Sequence, residues 1–144
     1  MKKIATVLIS LALFAFSALA DDRPIDYEQL PSAAKTFIQS DFPSLQISFI
    51  TKDPDLVDTT YDVHFSNGLI VEFNSKGEWK EISCNTEAIA DKYIPEKILS
   101  TISKRWPSAE VRKIERYRQG YELELSNRLE LKFNKQCKLV EIDD

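Results

Sequence analysis

The sequence has few of the residues from which catalytic and metal sites are built. It contains one histidine, two cysteines and three glycines in 144 residues. Catalytic triads and zinc sites depend on histidine or on closely spaced cysteines, and phosphate-binding loops depend on glycine-rich motifs. No His-x-x-x-His, Cys-x-x-Cys or Gly-x-Ser-x-Gly pattern is present. We therefore expect a protein that is not an enzyme and that uses no cofactor and no metal.

The charge pattern argues against two classes of partner. The chain has 19 lysines and arginines against 23 aspartates and glutamates, a net charge of −4, and no long run of basic residues. Nucleic acids and anionic membranes are bound by clustered positive charge, so neither is expected as a partner. We expect instead an unknown protein partner in the periplasm or outside the cell, and a chain that is a monomer or a weak dimer.

The first twenty residues have the three-part layout of a secretory signal peptide. Lys2 and Lys3 give a positive start, residues 4–16 are almost all apolar, and Ala18-Leu19-Ala20 supplies small residues for a signal peptidase. The apolar run is shorter than the roughly 20 residues that span a bilayer. We predict cleavage after Ala20, a periplasmic or secreted location, and a mature chain without a membrane span.

The two halves of the remaining chain share motifs in the same order. Phe-Pro-Ser at 42–44 corresponds to Trp-Pro-Ser at 106–108, 64 residues later, and after a four-residue insertion in the first half three further pairs follow at an offset of 60. These pairs are Ser66-Asn67 with Ser126-Asn127, Phe73-Asn74 with Phe133-Asn134, and Glu81-Ile82 with Glu141-Ile142. We predict two tandem repeats, residues 21–87 and 88–144, that together form one compact domain.

Each half begins with helical periodicity and continues with alternation. Apolar residues recur at helical spacing from Leu30 to Phe42, where Pro43 ends the helix. Residues 61–65 then alternate like a strand with one buried face, and Asn67-Gly68 predicts a hairpin turn with positive φ at both positions. The predicted fold class is α+β: two tandem repeats, each one helix followed by a four-stranded antiparallel meander, with the helices packed on one face of the combined sheet. The first strand of each half has apolar residues three apart, which predicts a β-bulge: Ile47 and Ile50, Val111 and Ile114.

Several of these motifs resemble one protein family. The helix ending in Phe-Pro-Ser or Trp-Pro-Ser, the Tyr-x-Val/Leu-x-Phe/Leu-Ser-Asn strand and the Gly-Glu-Trp-Lys-Glu-Ile strand at 77–82 are similar to those of the PepSY-like, β-lactamase-inhibitor-like proteins exported by Gram-negative bacteria. The resemblance covers about residues 27–143. It implies tandem α-β repeats that share one curved sheet, and a role in binding or inhibiting another protein.

Alternation places polar residues on the face of the sheet that the helices leave open. The predicted partner-contact residues on this face are Asp62, His64, Glu72, Trp79, Glu122, Glu124 and Glu130. Trp79 is either a core residue or an interface anchor, because the local pattern does not set its direction. The carboxylates are interpreted as a solvated acidic surface or as a surface that attracts a basic partner. Acid–base catalysis would require one of them to be desolvated, and the sequence indicates no such burial.

An acidic loop and a pair of cysteines each have two interpretations. Asp53, Asp55 and Asp58 could suggest calcium, but the glycine and the closing glutamate of an EF-hand are missing, so we interpret them as a plain acidic loop. Cys84 and Cys137 could form a disulfide in an exported chain, or could remain two free thiols. A bridge requires Cα atoms within about 7 Å, which the spacing along the chain does not show.

The leading functional hypothesis is an exported, non-catalytic protein-binding module. It would inhibit an exported enzyme by occlusion, with the open sheet face or the loop at residues 53–60. One alternative is a periplasmic carrier of a small molecule or peptide, with a cavity between helices and sheet. Another is a structural protein of the cell envelope. An enzyme using carboxylates would require Asp62, Glu72 or Glu124 to titrate well above about 4.3.

Overall fold

A computed structural model describes residues 22–55 and 57–144. The predicted signal peptide, residues 1–20, lies outside the described residues. Two α-helices are present in the described part of the chain, α1 (Ser32–Asp41) and α2 (Glu96–Arg105), and a single 3-10 turn precedes each, at Tyr27–Gln29 and at Asp91–Tyr93. None of the described helices is long and apolar enough to cross a membrane.

Proline bounds both helices at each end. Pro31 and Pro95 occupy the N-cap positions, where the missing N–H has no helical partner to lose. At the other end the backbone N–H of Phe42 donates to Ile38 and that of Trp106 donates to Ile102, and the proline that follows each aromatic residue stops the helix.

The strands form one continuous antiparallel sheet in sequence order, from β1 to β9. They are β1 (Arg23–Pro24), β2 (Ile47–Asp53), β3 (Thr60–Phe65), β4 (Leu69–Phe73), β5 (Trp79–Cys84), β6 (Val111–Tyr117), β7 (Gly120–Leu125), β8 (Glu130–Asn134) and β9 (Leu139–Asp143).

The predicted fold class is therefore wrong. The described residues do not form two helix-plus-four-strand repeats packed on one face; they form a single nine-stranded sheet with two helices. Two features account for the difference. The last strand of the first half pairs directly with the first strand of the second, with Ile82 opposite Ile114. A two-residue strand, too short to show any periodicity, adds the ninth strand by pairing Arg23 with Lys52.

The hairpin turns share a geometry that differs from the predicted one. In the β3–β4 turn the N–H of Gly68 donates to the carbonyl of Phe65, and φ is positive at Gly68 but not at Asn67. The predicted turn with two positive φ angles is wrong, because a type I turn followed by one left-handed residue already matches the strand twist. Arg128 holds the same place in the β7–β8 turn, with φ of 70°.

The predicted β-bulges are confirmed. The register of β2 shifts between Ile47 and Phe49, and that of β6 shifts between Val111 and Lys113. One extra residue in a strand reverses the direction of the side chains that follow. The bulges therefore keep the apolar residues on either side of them facing the core.

A single apolar core lies on one side of the sheet, which we call the core side; we call the other the open side. Four residues opposite one another on β5 to β8 are almost fully buried in it: Ile82, Ile114, Leu123 and Leu131. The buried residues of α1 and α2 belong to the same cluster. Residues that alternate with these core positions project to the open side.

Candidate functional site

Five carboxylates lie side by side across the open side of the sheet. They occupy directly opposed positions on β3 to β7, in the order Asp62, Glu72, Glu81, Glu115 and Glu122. Side chains directly opposite each other in an antiparallel pair have Cβ atoms about 4.5–5.5 Å apart. The five residues therefore form an unbroken line of acidic groups, which we call the acidic row.

A second row lies beside the acidic row. From β3 to β8 it contains His64, Ile70, Ser83, Lys113, Glu124 and Glu130. The two rows bring together six of the seven residues proposed from the sequence as a contact face. The sequence pattern missed Glu81 and Glu115, which lie where β5 and β6 meet, because that pairing joins strands separated by a helix.

Lysines partly neutralise the acidic row. The Nζ atom of Lys80 lies 3.5 Å from Glu72 Oε1, and the Nζ atom of Lys113 lies 3.2 Å from Glu81 Oε2. Asp62 has no ion pair within the described part of the chain. A third lysine, Lys132 on β8, lies directly opposite Glu122 and forms an ion pair with Glu141. Three lysines against five carboxylates leave the row with an excess of negative charge.

Within the acidic row, the pKa of Asp62 is shifted furthest from its usual value. Burial, followed by the negative charges of Asp22, Glu81 and Asp53, raises the pKa of the Asp62 carboxyl from 3.8 to about 6. Its Oδ1 atom is buried and has no hydrogen-bond partner among residues 22–55 and 57–144. The expectation that no carboxylate of this face is desolvated is therefore wrong. Ionisation of Asp62 is unfavourable in the folded protein because the carboxyl is half-buried, close to other negative charges, and its Oδ1 atom accepts no hydrogen bond from a described residue.

Glu72 and Glu115 show the same effect to a smaller extent. Burial raises the pKa of Glu72, and the charge of Asp62 raises it further. Burial also raises the pKa of Glu115. The charge of Lys113 lowers this pKa and that of Glu81 raises it, and the net shift of the pKa is upward. The acidic row thus carries electrostatic repulsion that protons, cations or a basic surface would relieve.

A stacked aromatic pair lies on the open side, with His64 in the second row and Phe49 opposite it on β2. The rings of Phe49 and His64 are stacked, with centroids 4.1 Å apart and planes inclined by 16°. Phe49 is 52% exposed, which is unusual for a large apolar side chain. Burial lowers the pKa of His64, and the charge of Asp22 offsets part of that effect. The bulge between Ile47 and Phe49 places the phenyl ring on this side, so simple alternation did not reveal it.

Trp79 lies on the core side and not on the open side. It is opposite the buried Phe73, and its ring packs against the core with its centroid 6.1 Å from that of Tyr93. The Arg116 guanidinium carbon lies 3.5 Å from the centroid of the indole ring. The assignment of Trp79 to the same face as Asp62 is corrected accordingly.

Cys84 and Cys137 are both free thiols, so the disulfide considered from the sequence is absent. Cys84 ends β5, whereas Cys137 lies in the turn after β8. Those strands are three places apart in the sheet, about 14 Å at about 4.8 Å for each strand. A disulfide requires Cα atoms within about 7 Å, so the two thiols cannot meet in this fold.

The acidic loop makes no metal site in the described residues. The Asp58 carboxylate lies 3.7 Å from Lys80 Nζ, and Asp53 ends β2 opposite Thr60. Among residues 22–55 and 57–144, no group of three or more histidine, cysteine, aspartate or glutamate side chains is arranged to hold a metal ion.

Comparison with known proteins places this chain in a family. A family model described as "Putative beta-lactamase-inhibitor-like, PepSY-like" matches residues 59–141. The chain belongs to this family. The resemblance inferred from its motifs is thereby confirmed, and the matched residues include the whole acidic row. No curated protein matches the chain.

Three crystal structures resemble this PepSY-like protein over most of its length. A "putative periplasmic protein from DUF2874 family" of Bacteroides vulgatus is 38% identical with a TM-score of 0.80, covering 88% of this chain and 99% of its own. A "putative calcium-regulated periplasmic protein" of Bacteroides thetaiotaomicron is 38% identical with a TM-score of 0.80, covering 86% and 98%. A "putative periplasmic protein of unknown function" of Bacteroides vulgatus is 36% identical with a TM-score of 0.80, covering 86% and 100%.

These descriptions agree on a periplasmic location, which confirms the predicted localisation. The predicted cleavage site after Ala20 lies outside the described residues. Neither the family nor the three structures is described by a catalytic activity. The chain is thus a periplasmic module of a family with no catalytic assignment.

Proposed function

We propose that this PepSY-like protein binds a periplasmic or secreted protein that presents a basic surface, and acts by occluding it. The contact surface is the open side of the sheet. The observation that supports this proposal is the acidic row, in which five neighbouring carboxylates outnumber the three lysines beside them.

A basic partner would supply the positive charges that the acidic row lacks. Lysine or arginine side chains close to Asp62 would favour its ionised form, so binding would release a proton near pH 6. The exposed ring of Phe49 offers an apolar anchor beside these charges, and aromatic anchors dominate the energetics of many interfaces. Charge would thus select the partner, and the ring would add contact area.

A carboxyl group with a raised pKa could also act as a general acid, and an enzyme that uses carboxylates would need such a group. At Asp62, however, burial and neighbouring carboxylates account for the raised pKa without a substrate. The row lies along a sheet surface and not around a reaction centre. We therefore favour binding over catalysis, and over a purely structural role in the envelope, which would involve no saturable partner.

The test uses mature protein, residues 21–144, as bait for periplasmic and secreted proteins of the host. The open-side variant is Glu81→Gln with Glu115→Gln. The matched control, Glu96→Gln with Asp91→Asn, removes the same charge near α2. The proposal requires a saturable partner whose affinity falls with salt, falls at least about tenfold in the open-side variant and stays unchanged in the control. Equal binding by both variants, or no saturable partner, would contradict it.

The bait experiment should be run with and without Ca²⁺, because one relative is described as calcium-regulated. A divalent cation screens closely spaced carboxylates. If the partner contacts the acidic row, Ca²⁺ should weaken binding more than an equal ionic strength of Na⁺ does.

A second candidate function, a small-ligand carrier, is supported by an apolar cleft of about 520 Å³ between α2 and β6. Its apolar wall is formed by Ile89, Leu99, Ile102, Trp106 and Val111. Because Trp106 lines this cleft, its fluorescence should respond to an apolar ligand such as a fatty acid. In a Trp79→Phe variant, an unchanged emission spectrum with a panel of such ligands would remove this candidate.

A further inference from the structure

A cleft of about 430 Å³ at the β6–β7 turn is lined by cations and phenol rings. Its lining residues are Arg116, Tyr117, Arg118, Gly120, Tyr121 and Lys135. No carboxylate belongs to this lining, although acidic residues outnumber basic ones in the chain as a whole. The carboxylate of Glu78 lies outside this lining and offsets part of the charge of Arg116. Three cations in the lining still leave an excess of positive charge, which a bound anion would offset.

Close packing of two turns creates this cluster. Gly120 faces Asn134 across β7 and β8, and a Cβ atom on Gly120 would lie 1.9 Å from the carbonyl oxygen of Phe133. Only glycine permits this approach, since no real Cβ contact is so short. The approach brings Lys135, in the β8–β9 turn, beside the β6–β7 turn that carries Arg118.

The Arg116 guanidinium is held in one orientation against Trp79 on β5. Its Nε atom donates a 3.0 Å hydrogen bond to the carbonyl oxygen of Trp79, and its Nη2 atom donates to the same oxygen. Its plane is also held against the Trp79 ring. Within the described residues its Nη1 atom donates no hydrogen bond to the protein. A fixed guanidinium loses little conformational entropy when it binds an anion.

The cations of the cleft differ from the lysines of the open side. Lys80, Lys113 and Lys132 each lie within 4.0 Å of a carboxylate. In the part of the chain that the structure describes, Arg116, Arg118 and Lys135 form no such ion pair. Unlike the lysines of the open side, the cations of the cleft are therefore not held by ion pairs with carboxylates of the described residues.

We propose that this cleft binds the phosphate of a phosphomonoester. A dianion matches a lining with three cations better than a monoanionic carboxylate does, and the planar guanidinium groups suit the spacing of phosphate oxygens. The hydroxyl groups of Tyr117 and Tyr121 are further donors. The phosphate can belong to a soluble metabolite or to a lipid headgroup, and the site would recognise the same chemistry in both.

The test measures binding of inorganic phosphate by calorimetry, with acetate at equal ionic strength as the reference. A Trp106→Phe variant leaves Trp79 as the only tryptophan, so a change in its emission reports an anion beside Arg116. Arg118→Gln and Lys135→Gln should each weaken phosphate binding about tenfold or more, since each removes a charge-assisted hydrogen bond. Lys104→Gln, an equal charge change at the end of α2, should have no effect.

Sedimentation with vesicles distinguishes the two sources of phosphate. If the phosphate is carried by a lipid, phosphatidic acid vesicles should sediment the protein, phosphatidylcholine vesicles should not, and Arg118→Gln should abolish the effect. If it is soluble, inorganic phosphate should bind and neither vesicle should sediment the protein. The proposal is overturned if neither phosphate source binds, if acetate binds as tightly as phosphate, or if Lys104→Gln weakens binding as much as Arg118→Gln.

Discussion

Replacing Asp62 by asparagine should make the protein more stable at pH 7, although it removes a charge from the protein surface. The pKa of Asp62 is raised from 3.8 to about 6 by burial and by neighbouring carboxylates. The folded protein therefore holds the proton more tightly than the unfolded chain does. Stability contributed by this proton is complete below pH 3.8 and is lost as the pH rises through 6. Asparagine carries no charge in either state and does not lose this stability.

The size of the effect follows from the same numbers. The difference between 3.8 and about 6 corresponds to about 3 kcal/mol, at 1.36 kcal/mol for each pH unit. Asp62 is only half-buried, so solvent screening reduces the expected gain to about 1–2 kcal/mol. Because the pKa values of Glu72 and Glu115 are also raised, the Asp62→Asn variant should keep a weaker dependence of the same sign.

Urea denaturation between pH 3.5 and pH 7.5, monitored by tryptophan fluorescence, measures the free energy of unfolding of both proteins as a function of pH. The stability difference between Asp62→Asn and wild type should be greatest above pH 6.5 and should vanish near pH 3.5. Glu130→Gln, at an exposed position of the same face, is the matched control and should change stability by less than about 0.5 kcal/mol. A difference that stays constant with pH, or an Asp62→Asn protein that is less stable at pH 7, would refute the reasoning.

Three further substitutions test other parts of the structure. Gly77→Ala should reduce stability in urea by at least about 2 kcal/mol, because φ is +82° and the new Cβ atom would lie 2.7 Å from the backbone nitrogen of Ala34. Arg128→Gly should raise the melting temperature, with a gain of up to about 1 kcal/mol, because it relieves a left-handed conformation with φ of 70°; an unchanged melting temperature would contradict this. Phe49→Ala should raise the pKa of His64 toward 6.5 in an NMR titration, because burial lowers that pKa; a further decrease would show that the ring does not cause the burial.

Local parts of the fold could be predicted because their causes are local. Pro43 and Pro107 mark the ends of the two helices, and apolar residues three apart correctly predict bulges in β2 and β6. The number of strands could not be predicted in the same way. The strand at Arg23–Pro24 is too short for a pattern, and it exists only because β2 offers it an edge. The division into repeats at residues 21–87 and 88–144 stays a prediction.

The acidic residues of the site were partly predictable. Alternation placed Asp62, Glu72 and Glu122 correctly on the open side, since strict period-2 order holds at those positions. The direction of Trp79 depended on a register shift between β4 and β5, which the composition of β5 does not reveal. Burial of Asp62 depended on neighbours from other strands, so its raised pKa could not be derived from the pattern within β3.

The acidic row exists because the two halves of the chain join into one sheet. Glu81 ends up opposite Glu115 only when β5 pairs with β6, and Lys113 lies within 4.0 Å of both carboxylates at that joint. An apolar or neutral pair would join the strands with less repulsion, since like charges directly opposite are destabilising. Residues that destabilise the folded protein are typical of functional sites, because the same residues are needed for binding. The β5–β6 joint is therefore the place where the structure of the sheet and the proposed contact surface depend most directly on each other.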